Sequence, residues 1–162
     1  MMRNYENACA KFYSKLKLNS LPIDSFEFQK EYFSDAFLFK KLQSNWSNKK
    51  DYLKQSHKEN RELIITDATF KIVFASTTIS RISGYEPAEI LGKSPVLFQG
   101  EATSTATRKK IKTAITNLQP FKEVILNYKK NGHPYWCEIE AYPQFDLNGQ
   151  FQNYIALEKI AS

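Results

Sequence analysis

Apolar residues recur along this chain with two different periods, and the change falls near residue 61. In the first segment Tyr5, Cys9, Phe12 and Leu16 follow one another at spacings of four, three and four, which places them on one helical stripe. Asn19 to Asp24, with Pro22, interrupts that run. A second helix then starts behind Asp24 or Ser25, either of which can cap it. It carries Tyr32, Phe33, Ala36, Phe37 and Leu42 toward Trp46, while Phe28, Leu38 and Phe39 lie elsewhere on the wheel. Such a helix needs partners on two sides. Ser47 to Arg61 is polar, with only Tyr52 and Leu53 as apolar anchors, and reads as a third, mostly exposed helix or a linker.

From Glu62 onward short β-branched runs take over. "ELIITD" and "KIVFAS" predict an antiparallel pair turning over Asp67 to Phe70. Helical pieces follow: one around Thr77 to Ile82 that stops at Gly84, a turn at Pro87 to Ile90, and another at Ser94-Pro95. A longer helix from Thr103 to Leu118 puts Ile111, Ala114, Ile115 and Leu118 on its buried face and ends at Pro120. Strand patterns at 121–129, 133–145 and 151–160 are separated by Asn131-Gly132 and Asn148-Gly149, both hairpin signals. The order β-β-α-α-α-α-β-β-β predicts an α+β fold. One five-stranded antiparallel sheet is covered by short helices over residues 61–162, and residues 1–60 form an N-terminal helical extension that acts as a cap or dimerisation element.

Alternation within the strands assigns their faces. Tyr135, Cys137, Ile139 and Ala141 share the inward side, and Trp136, Glu138, Glu140 and Tyr142 the outward one. In the last strand Tyr154, Ala156 and Glu158 alternate with Ile155, Leu157 and Lys159, so the outer side is apolar as well. An apolar outer face must be covered by the N-terminal helices, by a second copy, or by another protein.

Composition narrows the function. A 42% hydrophobic content over 162 residues suffices for one core plus an appendage. The net charge of +6 comes from lysines interspersed with acids, so the chain reads as a solvated surface; a nucleic-acid binder would need them gathered on one face. No signal peptide and no run of apolar residues long enough for a membrane span is visible, so a cytoplasmic location without membrane contact is expected. Cys9 and Cys137 have neither metal-ligand nor redox spacing, and His57 and His133 are isolated and expected at the surface. With no catalytic constellation, no phosphate-binding glycine loop and no metal ligand set, the chain reads as non-enzymatic.

The segment Gly92 to Gly100, "GKSPVLFQG", remains. Ser94 is a favoured N-cap, Pro95 suits the first helical position and a glycine suits the exit, so it predicts one helical turn carrying Gln99 at its end. Gln99 then either reaches a small ligand or hydrogen-bonds the backbone of the neighbouring strands. Asn127, on a strand face inside a core, must find a partner too.

With "ILNYKKNGHPYW" at Ile125 to Trp136 and "NYIALEKI" at Asn153 to Ile160, this segment makes residues 61–162 resemble the PAS superfamily, and most nearly its flavin-binding light-oxygen-voltage (LOV) branch. The resemblance implies a PAS-like sheet with a pocket between sheet and helices, working as a sensory or protein-interaction module in signal transduction. The LOV signature reads Gly-x-Asn-Cys-Arg-Phe-Leu-Gln-Gly. Here Pro95 stands in place of the reactive cysteine, so no thiol is available for a covalent bond to flavin at that position. Of the flavin-holding groups the resemblance implies, Gln99 and Asn127 are kept. Cys137 replaces a second Asn, Glu158 a Gln and Val96 an Arg, while Lys112 aligns with a second phosphate-binding Arg. A thiol pairs more weakly than an amide, and losing an Arg removes a charge-assisted contact of about 1.5–3 kcal/mol. The resemblance therefore implies a pocket without a bound cofactor. The alternative is a flavin, FMN or FAD, that senses light or redox state without a cysteinyl adduct. The expected partner is a second copy or a signalling protein, met through the outer sheet face and the N-terminal helices.

Overall fold

The computed structural model describes residues 34–162. The expected stripe from Tyr5 to Leu16, with Cys9, and the start of the second helix at Asp24 or Ser25 lie outside the described residues. Helix α1 covers 34–43 and α2 Tyr52–Lys58. Strands β1 (Glu62–Thr66) and β2 (Ile72–Ala75) follow, then the short helices α3 (Ser80–Ser83) and α4 (Pro87–Ile90), and a 3-10 turn at Pro95–Phe98. Helix α5 (Thr105–Thr116) leads into β3 (Phe121–Tyr128), β4 (Pro134–Phe145) and β5 (Phe151–Ile160). Among the described residues no helix is long and apolar enough to cross a membrane.

The strands form one antiparallel sheet in the order β2-β1-β5-β4-β3, as the predicted α+β architecture requires. The last strand in sequence thus lies in the middle of the sheet, between β1 and β4. Both meander hairpins turn where expected, on Gly132 and Gly149, whose φ of 83° and 76° is costly for residues with a Cβ. The β1–β2 turn closes on Asp67, whose carboxylate accepts from the backbone N–H of Thr69 at 2.8 Å and of Lys71 at 3.0 Å.

The outer face of β1, β2 and β5 is covered from within the same chain. Phe39 of α1, Trp46 and the α2 residues Tyr52 and Leu53 pack with Leu63, Ile65, Phe74, Ile155 and Leu157 into one buried cluster. Asp35 ties α1 to the chain after β2 by accepting from the Thr77 backbone N–H at 3.0 Å. The expected face of α1 needs correction. Phe37 and Leu38 are exposed, and the packed residues are Ala36, Phe39 and Leu42. Phe37 and Phe39 point to different sides of this helix, so the sequence does not single out its docking face.

The segment expected to be mostly exposed also differs. Tyr52 and Leu53 of α2 are buried as the anchors, but Ser56 is buried beside them, its hydroxyl donating to the Leu53 carbonyl at 2.8 Å. His57 is half-buried rather than at the surface. It lines a small polar pit of about 70 Å³ with Arg61, Glu62 and Arg81, and burial lowers its pKa. Beyond the reach of α1 and α2, Val124 of β3 and Trp136 of β4 stay exposed on the outer face.

Candidate functional site

The inner face of the sheet, the 3-10 turn and α5 enclose a cavity of about 450 Å³, within the range of small-molecule sites. Its apolar wall includes Ile64, Phe98, Ile111, Ile125, Ile139 and Ala156. No residue of α5 is fully buried: Ile111 and Ile115, expected on its buried face, border the cavity instead.

The 3-10 turn forms as its residues dictate. The Ser94 side chain accepts from the Val96 N–H, Pro95 opens the turn, and Gln99 leaves it in an extended conformation. The Gln99 side chain lines the cavity and makes no hydrogen bond to the strands. Gly100 has another reason than the expected helix exit, since it does not adopt the left-handed backbone. A Cβ there would stand 2.5 Å from Cδ2 of Tyr128, so only glycine lets the chain pass over that ring. The segment is then fastened to β3: the Thr103 hydroxyl donates to the Leu126 carbonyl at 2.7 Å and accepts from the Gly100 N–H at 2.9 Å.

Five of the six candidate positions come together on the cavity wall: Pro95, Gln99, Lys112, Asn127 and Glu158. Cys137 is the exception. It is fully buried on β4 and does not border the cavity; its thiol ends 3.6 Å from Glu158 Oε2. It therefore supports Glu158 from behind instead of facing the cavity. Tyr135, Asn127 and Cys137 form the neighbourhood of that carboxyl. Burial pushes the Glu158 carboxyl up to about 7, and the charge of Glu62 on the adjacent strand adds to the shift. Burial first, and then the Glu158 charge, also raise the Cys137 thiol and the Tyr135 hydroxyl, so both stay protonated at neutral pH.

Two further wall residues were not expected. The Thr66 hydroxyl is buried without a hydrogen-bond partner among the described residues, and so is Nε of Arg108. Arg108 sits one helical turn before Lys112, so two cations share one face of α5. The Val96 position, where the resemblance implied an Arg, carries no charge, and Arg108 restores a guanidinium from a different element. Thr66 was accessible to strand alternation, being two residues from the inward Ile64; Arg108 required the phase of α5.

The wall thus offers two amides, an unpartnered hydroxyl and a carboxyl that can donate or accept, with two cations on the helix side. It suits a flat ligand with a hydrogen-bonding edge and an anionic or polar tail. Among the described residues no thiol borders it, and no group of three His, Cys, Asp or Glu side chains is placed to hold a metal.

Comparison with known proteins follows the same line. A family model described as PAS domain matches residues 61–159. A blue-light-activated histidine kinase of Brucella canis is 34% identical over 85 residues, which is 52% of this chain and 17% of that protein. Phototropin-1A of Oryza sativa subsp. japonica is 30% identical over 139 residues, 84% of this chain and 15% of that protein. The chain therefore spans less than a fifth of the length of these relatives. Among solved structures, the dark structure of the blue-light photoreceptor Aureochrome1 LOV superposes with a TM-score of 0.65 at 27% identity, covering 72% of this chain and 86% of that one.

Proposed function

The chain belongs to the PAS domain family, and on that premise we propose that it is a non-enzymatic sensory module of signal transduction whose cavity holds a flavin-class ligand without a covalent bond. The observation that carries this reading is the convergence of Gln99, Asn127, Glu158 and the unpartnered Thr66 hydroxyl on one cavity, with Arg108 and Lys112 on its helix side. The residues fit the group. The amides and the carboxyl match a ring edge that both donates and accepts, and the two cations match a phosphate. A bound flavin would supply light absorption and one-electron chemistry. The chain's own residues would orient it, exclude water and, with Pro95 in place of a nucleophile, leave it unbonded. The blue-light names of the relatives support a light-absorbing ligand.

In this reading residues 61–162 are the receiver and the preceding helical segment is its cap. Output passes through the outer sheet face. Val124 and Trp136 remain exposed there, beside Lys122, Glu138 and Glu140, and form the surface for a second copy or a signalling protein. Equilibrium dialysis of the purified chain against FMN tests the ligand, and light scattering with Trp136→Glu tests the surface. Stoichiometric binding and a loss of association in the variant are expected. Failure to retain FMN would remove the ligand from the account, and unchanged association would remove the surface.

A further inference from the structure

Glu158 is the only carboxyl group on the cavity wall among the described residues. Among the described residues it forms no ion pair. Arg61, the nearest buried cation in sequence to β1, is taken by Glu59 and Glu138, and the Arg108 guanidinium donates to the Gly100 carbonyl. Lys112 extends from an exposed position on α5. From β1, Glu62 faces Glu158 across the strand pair, held by the Thr78 hydroxyl at 2.6 Å. From β4 come the Cys137 thiol and the Tyr135 hydroxyl, and from β3 the Asn127 amide.

A carboxylate without a cation in such a setting is costly, and the group holds its proton instead. The protonation state changes what Glu158 can bind. As an acid it donates one hydrogen bond and accepts another; as an anion it only accepts, and it repels the lone pairs of a ligand carbonyl or ring nitrogen.

We propose that occupancy of the cavity is proton-linked through Glu158: an uncharged heteroaromatic ligand whose buried edge presents an acceptor binds only while Glu158 carries its proton. This rests on the flavin-class reading of the cavity and adds a regulation to it. Acidification loads the sensor and alkalinisation empties it. Ligand binding above the transition takes one proton from solvent and delivers it to the carboxylate. Burial places the switch near neutral pH, because the carboxyl is pushed up to about 7. Of the neighbouring groups, Cys137 and Tyr135 are shifted upward, away from neutrality. His57 lies in the separate polar pit, and burial lowers its pKa.

Riboflavin is the probe, since it lacks the phosphate of FMN, which itself titrates close to neutrality. Its affinity for the full chain is measured by fluorescence quenching at several pH values on both sides of neutrality, beside Glu158→Gln. For the wild type the apparent affinity should fall toward tenfold per pH unit on the alkaline side, as the competent fraction falls. The Gln variant, neutral at every pH, should bind with a flat profile, and its thermal melt confirms that it is folded. A flat wild-type profile, or the same slope in both proteins, overturns the proton linkage and leaves the flavin reading intact. Binding by the Gln variant alone, with none by wild type at acid pH, does the same. No riboflavin bound by either protein at any pH overturns both.

Discussion

The indole N–H of Trp46 donates to Asn153 Oδ1 at 2.8 Å, between residues 107 positions apart in the chain. Asn153 in turn donates from Nδ2 to the Thr66 carbonyl at 2.9 Å, at the end of β1. One buried amide therefore joins the covering segment, the central strand and the strand that carries a cavity-wall hydroxyl. These two bonds fasten the segment before β1 to the sheet.

Trp46→Phe keeps an aromatic ring but removes the donor, leaving Asn153 Oδ1 buried without a partner. A loss of about 1–3 kcal/mol is expected in urea unfolding. A change within experimental error would show that the cap is not fastened through this bond.

Gly100→Ala drives a methyl group into the Tyr128 ring. The expected cost is about 1–3 kcal/mol in the wild-type background and less than about 0.5 kcal/mol in a Tyr128→Ser background, where the ring is gone. Equal costs in both backgrounds would place the strain elsewhere.

Glu158 makes stability fall with rising pH. Its folded-state value of about 7 lies above the ordinary carboxyl value of 4.5, so between these limits the folded state binds more protons than the unfolded one. The ligand-free protein should lose on the order of 3 kcal/mol across that window from this group alone. Glu158→Gln should match wild type at the acid end and exceed it by most of that amount above neutrality. Parallel profiles for the two proteins in denaturant titrations would contradict the burial of an unpaired carboxyl.

The cations on α5 should distinguish FMN from riboflavin. Lys112→Ala is expected to weaken FMN binding about two- to fivefold, as an exposed charge contact does, and to leave riboflavin unaffected. Added salt should erase the difference. Equal losses for both flavins would mean that Lys112 shapes the wall and does not meet a phosphate.

Much of this was legible because the signals were local. Asn-Gly pairs marked both hairpins, Ser94-Pro95 opened its turn, and strand alternation put Ile139, Ala141 and Glu158 on the inward side. What was not legible depended on contacts between distant segments. The docking face of α1 was settled by the sheet, which takes Phe39 and leaves Phe37 in solvent. Cys137 has the inward parity of a wall residue, yet its short side chain ends against Glu158 and never reaches the cavity. Gly100 reads as a helix exit until Tyr128, from another strand, is seen beneath it. Arg108 is one basic residue among several on α5, and only the helix phase shows that it borders the cavity.

The most direct measurement is the visible absorption spectrum of the full chain after incubation with FMN and removal of free ligand, in the dark and after blue illumination. A ligand held by Gln99, Asn127 and Glu158 without a thiol predicts a retained, structured blue band that light does not bleach through covalent bonding. A colourless protein after the same treatment would contradict the account.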